Sequence, residues 1–79
     1  MSPKVFERKG FVFFFYSREE NRMHVHVKCQ AGIAKFWLEP SIELCSQFNL
    51  KKADINTIRK LIEGNIDEIK EAWRKHRDR

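Results

Sequence analysis

The 79-residue sequence holds two cysteines, three glycines and two prolines, and no apolar run approaches the ~18 residues that cross a bilayer. Each shortage excludes something. Cys29 and Cys45 are too few for a disulfide framework, so a reduced, cytoplasmic setting is expected. The low glycine and proline content excludes collagenous and low-complexity chains. There is no glycine-rich phosphate loop, which argues against nucleotide hydrolysis, and no Cys-x-x-Cys or His-Glu-x-x-His pattern, so neither a metal nor another cofactor is expected. Met1 to Glu7 lacks the apolar stretch and small-residue cleavage site of a secretory signal, and no membrane association is expected.

What is present fits one small folded domain, residues 1–79. Hydrophobic residues make up 42% and aromatic residues 13%, too apolar for intrinsic disorder. A chain this short buries only about 60% of its unfolded surface, which makes a homodimer one route to further burial. Sixteen Lys and Arg against eleven Asp and Glu give a net charge of +5 and point to acidic partners. The excess is not one continuous stripe, because residues 41–79 are nearly balanced.

Periodicity divides the chain into an α+β fold. Four strands at about 4–8, 11–16, 24–29 and 33–39 form an antiparallel meander. Gly10 supplies the positive φ of the first hairpin, Ser17 to Met23 forms a polar loop, Gln30-Ala31-Gly32 turns, and Pro40 ends the fourth strand. Ser41 as N-cap, followed by Leu44 and Cys45, predicts a short helix at about 41–47. Ile55, Ile58, Leu61, Ile62, Ile66, Ile69 and Trp73 recur at spacings of three and four, predicting a long amphipathic helix at about 52–76. Gly64-Asn65 offers either a C′ glycine with a new N-cap or a mild kink; the unbroken phase of the apolar stripe favours the kink.

Strand alternation then assigns faces. Val25, Val27, Phe36 and Leu38 belong under the helix. His24, His26, Lys28, Lys35 and Trp37 fall on the opposite face. The strand from Phe11 to Tyr16 is apolar on both sides, so a loop, a partner chain or a ligand must cover its second face.

His24-Val25-His26 places two imidazoles on one side of a strand, where they can serve as base and orienting group; two surface histidines are the plainer alternative. A metal site would need a third ligand from His76, Glu39 or a cysteine, and Cys29 points to the other face. Lys35 beside Trp37, with Lys28, Arg18 and Arg22 near, matches a surface that stacks bases and neutralises phosphates. Trp37 packing on a partner protein is the competing explanation. Arg18, Glu19, Glu20 and Arg22 alternate in sign as a solvated loop does.

Phe13-Phe14-Phe15-Tyr16-Ser17, Arg22-Met23-His24-Val25-His26-Val27 and Gly32-Ile33-Ala34-Lys35-Phe36-Trp37-Leu38-Glu39-Pro40 resemble the small bacterial family catalogued as domain of unknown function 4160. Ile62-Glu63-Gly64-Asn65, Ile69 and Ala72-Trp73 are similar to its last helix, so the resemblance covers nearly the whole chain. Asn21-Arg22-Met23 stands where many relatives carry prolines, and Lys51 where a capping Ser or Thr is usual. The resemblance implies a gene beside that of a second small protein, as in a toxin–antitoxin pair. It maps a recurring His-x-His onto His24 and His26, a Lys-Phe-Trp onto Lys35, Phe36 and Trp37, and a Tyr onto Tyr16.

The expected function is a toxin-like component of such a pair acting on RNA, as a metal-independent ribonuclease or an RNA binder. His24, His26 and Lys35 are the candidate catalytic residues, and Tyr16, Arg22, Lys28 and Trp37 the substrate-binding ones. The alternative is a non-catalytic antitoxin or repressor subunit that docks a cognate small protein through its aromatic sheet face.

Overall fold

The computed structural model describes residues 4–16 and 21–77. Five strands form one antiparallel sheet in sequential order: β1 (Lys4–Arg8), β2 (Phe11–Phe14), β3 (His24–Lys28), β4 (Ile33–Trp37) and β5 (Glu43–Phe48). Two helices follow, α1 (Lys52–Gly64) and α2 (Ile66–Arg77). Lys9 (φ 55°) and Gly10 (φ 81°) close the first hairpin with positive φ at both central residues, the geometry whose twist matches the flanking strands. The polar segment expected between β2 and β3 lies partly in residues 17–20, Arg18 included, outside the described residues.

The segment predicted as a short helix at 41–47 is instead a fifth strand. Leu44 and Phe48, four apart, imitate helical spacing, but one or two isolated turns are marginal in water. Pairing along β4 satisfies every second backbone group of the segment and removes β4 from the sheet edge. A bulge lies between the pairs Lys35–Ser46 and Phe36–Leu44, so Cys45 has no place in the ladder count. The extra residue turns Leu44 to the side of Phe36 and leaves Phe48 beside Ile33, on the other face.

The predicted long helix is two helices, and Asn65 rather than Gly64 makes the break. Only Gly10 among the described glycines has positive φ, so Gly64 is not a left-handed cap. Asn65 Nδ2 donates to the Leu61 carbonyl (2.8 Å) and its backbone N–H to Ile62 O (3.2 Å), satisfying the end of α1. Its own carbonyl accepts from Ile69 N–H (3.1 Å), opening α2. At the start of α1, Lys51 lacks a capping hydroxyl, and the Asp54 carboxylate accepts its backbone N–H (3.2 Å).

Val25, Val27, Phe36 and Leu38 lie under the helices as expected, joined by Phe6, Phe11, Phe13, Phe15 and Ala34 from the sheet. Ile58, Ile62, Ile69 and Trp73 meet them from α1 and α2 and are fully or almost fully buried. Truncating any of these large side chains to alanine should cost about 2–5 kcal/mol. Arg59 Nη1 donates to Ile42 O (3.0 Å), and Arg8 pairs with Glu68 across a solvent-exposed 3.5 Å gap, tying the helices to opposite edges of the sheet.

The β3–β4 turn is held against the end of β5. Asn49, at φ 61°, donates from Nδ2 to Ala31 O (2.7 Å), and a Cβ on Gly32 would stand 2.0 Å from the Phe48 carbonyl oxygen. Backbone on both sides cannot swing away. Gly32→Ala should therefore cost about 3 kcal/mol, the upper end of overpacking, and lower Tm by roughly 15 °C in a domain of this size. Gly64→Ala is the contrast: nothing lies within 4 Å of its added Cβ, so thermal unfolding should show a gain of about 0.5–1 kcal/mol.

Candidate functional site

Register places one continuous row of side chains across the face opposite the helices. Lys4 pairs with Phe14, Phe14 with His26, His26 with Lys35, and Lys35 with Ser46, one residue from each strand. A second row runs Glu7, Val12, Lys28, Ile33, Phe48, and a third joins His24, Trp37 and Glu43. The expected common face of His24, His26, Lys28, Lys35 and Trp37 therefore exists, with β5 widening it.

Its centre is aromatic and closely covered. Phe14 stacks on His26 (centroids 5.5 Å, 27°), and Tyr16 meets the edge of both Phe14 (5.3 Å) and His26 (4.5 Å). Lys28 Nζ lies 5.2 Å above the Phe14 ring. These contacts leave Phe14 only 5% exposed, so the chain itself covers much of the apolar second face of β2.

The two histidines differ. His24 is fully buried and His26 is 8% exposed. The β2–β3 ladder ends at Phe14–His26, and beyond it Trp73 of α2 comes against His24 (5.0 Å) and Phe15 (5.4 Å). His24 also meets His26 (5.2 Å) and Trp37 (5.7 Å) edge to face. Its Nδ1 lies 2.8 Å from the Arg22 carbonyl. A carbonyl only accepts, so Nδ1 carries the proton and Nε2 is the basic nitrogen of neutral His24. The expectation of two solvent-facing imidazoles thus meets two buried rings, His24 fully enclosed and His26 reaching the wall of a groove.

Trp37 is flanked by cations, with the Arg22 guanidinium 4.2 Å and Lys35 Nζ 4.5 Å from its ring. Arg22 Nε donates to Glu39 O (2.9 Å), and its guanidinium lies 3.5 Å from Glu43. Arg22 and Trp37 thereby lock the segment before β3 to the β4–β5 connection. His76, which the sequence offered as a third metal ligand, donates from Nε2 to the Tyr16 carbonyl (2.9 Å) and lies 5.4 Å from Phe15.

Two shallow grooves cross the face. One, of about 260 Å³, is lined by Tyr16, His26, Ile33, Ala34, Lys35, Ser46, Gln47 and Phe48. Its neighbour, of about 340 Å³, is lined by Lys4, Val12, Phe14, Tyr16, Lys28 and Ile33. The structure thus gathers Tyr16, His26, Lys28 and Lys35 at the grooves and leaves His24, Arg22 and Trp37 beside them. Sequence reasoning missed Phe48, Ser46 and Gln47, because they lie on the strand taken for a helix, and Lys4, whose alternation is broken by the irregularity between Lys4 and Phe6.

Among the described residues, no three His, Cys, Asp or Glu side chains are grouped as metal ligands, and no helix is long and apolar enough to cross a membrane. Cys29, half-buried against the core, and exposed Cys45 are both free thiols.

Compared with known families, residues 10–74 match the one described as domain of unknown function (DUF4160). No curated protein and no solved structure matches the chain.

The burial of His24 makes two outcomes measurable. Long-range ¹H–¹⁵N spectra should show His24 in the Nδ1–H tautomer, and an Nε2–H pattern would refute the bond to Arg22. His24→Ala should destabilise the fold by about 2–4 kcal/mol, as loss of a buried ring with its hydrogen bond does.

Proposed function

The chain belongs to the DUF4160 family, whose description assigns no activity, and we propose from its geometry that it acts on single-stranded RNA across the open face of the sheet. The observation that carries this reading is the direct cross-strand pairing of His26 with Lys35, at a groove walled by Tyr16 and Phe48. Exposed aromatic rings stack bases without regard to sequence, and lysines on either side neutralise phosphates. The lining of neither groove includes a carboxylate. Glu7 lies at the rim, 3.6 Å from Lys4, with both side chains more than half exposed, a pair that exchanges readily for phosphate.

His26 and Lys35 also suit metal-independent cleavage. His26 takes the proton of a 2′-hydroxyl, whose oxygen attacks the adjacent phosphorus. Lys35 faces the charge that develops on the phosphorane and returns a proton to the departing 5′-oxygen. The products are a 2′,3′-cyclic phosphate and a 5′-hydroxyl. His24, buried behind His26, is a positioning residue in this scheme, and Arg22 and Trp37 set the backbone beside it. Such an activity agrees with a toxin-like member of a two-protein pair, whose partner would be the small protein encoded alongside.

A second reading has its own observation. Phe48 is 71% exposed and Tyr16 43%, and β5 is an outer strand, features that also suit docking of that cognate protein by a non-catalytic subunit. Light scattering of the chain with and without the neighbouring gene product measures this directly.

With an unstructured oligoribonucleotide, His26→Ala should lower the cleavage rate about 10²–10⁴-fold, the usual contribution of a general base, while changing Kd less than tenfold. A 2′-deoxy substitution at the scissile position should stop cleavage and preserve binding. Cleavage by His26→Ala at the original rate removes the catalytic assignment; binding without any cleavage leaves an RNA-binding surface alone.

A further inference from the structure

The two grooves adjoin, and Tyr16 and Ile33 line both. Ile33 belongs to the sheet, where it pairs with Lys28 on one side and Phe48 on the other. Tyr16 lies beyond the last residue of β2 and is 43% exposed, with its ring against His26 and Phe14. Its carbonyl is held by His76 from the last turn of α2. Tyr16 is therefore a partition between two depressions, set in place from the helical layer rather than by the sheet ladder.

Each depression combines lysine with aromatic and apolar walls. On the β5 side, Lys35 accompanies His26 and the exposed ring of Phe48. On the β1 side, Lys4 and Lys28 accompany Phe14. The volumes, about 260 and 340 Å³, lie just below and just above the lower bound of the ~300–1,000 Å³ range of ligand pockets. That size suits one nucleotide each rather than a longer segment. A cation, an apolar wall and a shared aromatic partition recur on both sides.

Resting on the RNA reading above, we infer that the open face is a two-subsite dinucleotide clamp: Tyr16 stands between successive bases, Lys35 serves one phosphate, and Lys4 with Lys28 serves the next. The site takes two consecutive nucleotides and makes no further specific contact with a third. His76 is a positioning residue for the partition.

Oligouridylates of one to four nucleotides, carrying a 2′-deoxy backbone so that none is cleaved, provide the test by calorimetry with the full chain. Kd should tighten at least tenfold from one nucleotide to two, as expected when a second base gains an aromatic partner, and by less than threefold from two to four. Tyr16→Ala should remove most of the step between one and two, and Tyr16→Phe should keep it. Lys4→Gln with Lys28→Gln should weaken the dinucleotide and not the mononucleotide, and should reduce the salt slope for the dinucleotide by about 0.7, the contribution of the one single-strand phosphate contact they share. Lys35→Gln should weaken both. Unchanged far-ultraviolet dichroism and Tm in Tyr16→Phe and the lysine variants confirm that folding is not the variable. A steady gain through four nucleotides, or a step that survives Tyr16→Ala, overturns the two-subsite clamp and leaves RNA binding intact. No binding at any length, by these strands or by uncleaved ribonucleotides mixed with the His26→Ala protein, overturns the clamp and the RNA reading together.

Discussion

The indole of Trp73 is the contact on which the rest depends. It arrives from the second helix and lies against Phe15, just past the end of β2, and His24, at the start of β3. A five-stranded meander has short-range pairing throughout and needs no help to set its register. It does need a cover for its apolar face and a plug where β2 stops short of His24. Trp73 supplies both from one side chain that is 5% exposed. Three turns of α2 therefore fix the position of the histidine pair and, through His76, of Tyr16.

The opposite face has a different economy. Its rings are covered by neighbouring rings and by cationic groups that lie over them. Arg22 and Lys35 flank Trp37 while Lys28 lies over Phe14. A surface built in this way is apolar at depth and positive at the rim, which is the order in which an unpaired nucleotide presents base and phosphate. The small net charge of the whole chain is thus a poor guide to this surface, because five of the eleven acidic residues, Asp54, Glu63, Asp67, Glu68 and Glu71, lie on the helices.

Much of this could be read from the residues. Alternation in His24 to Lys28 and Ile33 to Trp37 separated the two faces correctly, since a half-buried strand must show period two. The spacing from Ile55 to Trp73 found the helical cover. What escaped were features decided by tertiary pairing. Glu43 to Phe48 carries no alternation because a bulge at Cys45 reverses it midway, and the resulting Leu44–Phe48 spacing mimics a helix. The site suffered for the same reason: with β5 unrecognised, Phe48 could not be placed opposite Tyr16. The depth of His24 was equally hidden, because strand periodicity specifies direction and says nothing about a tryptophan forty-nine positions later.

Because the cover follows the sheet in sequence, synthesis exposes a hazard. At ~5–20 residues per second, roughly 2–7 s separate Phe36 from Trp73 on the ribosome. During that interval Phe13, Val25, Val27 and Phe36 can form a sheet with one naked apolar face and an unguarded outer strand. The nascent chain is most vulnerable after β5 has been made and before α2 has, and a chain cut after the sheet would carry every strand and nothing to shield it.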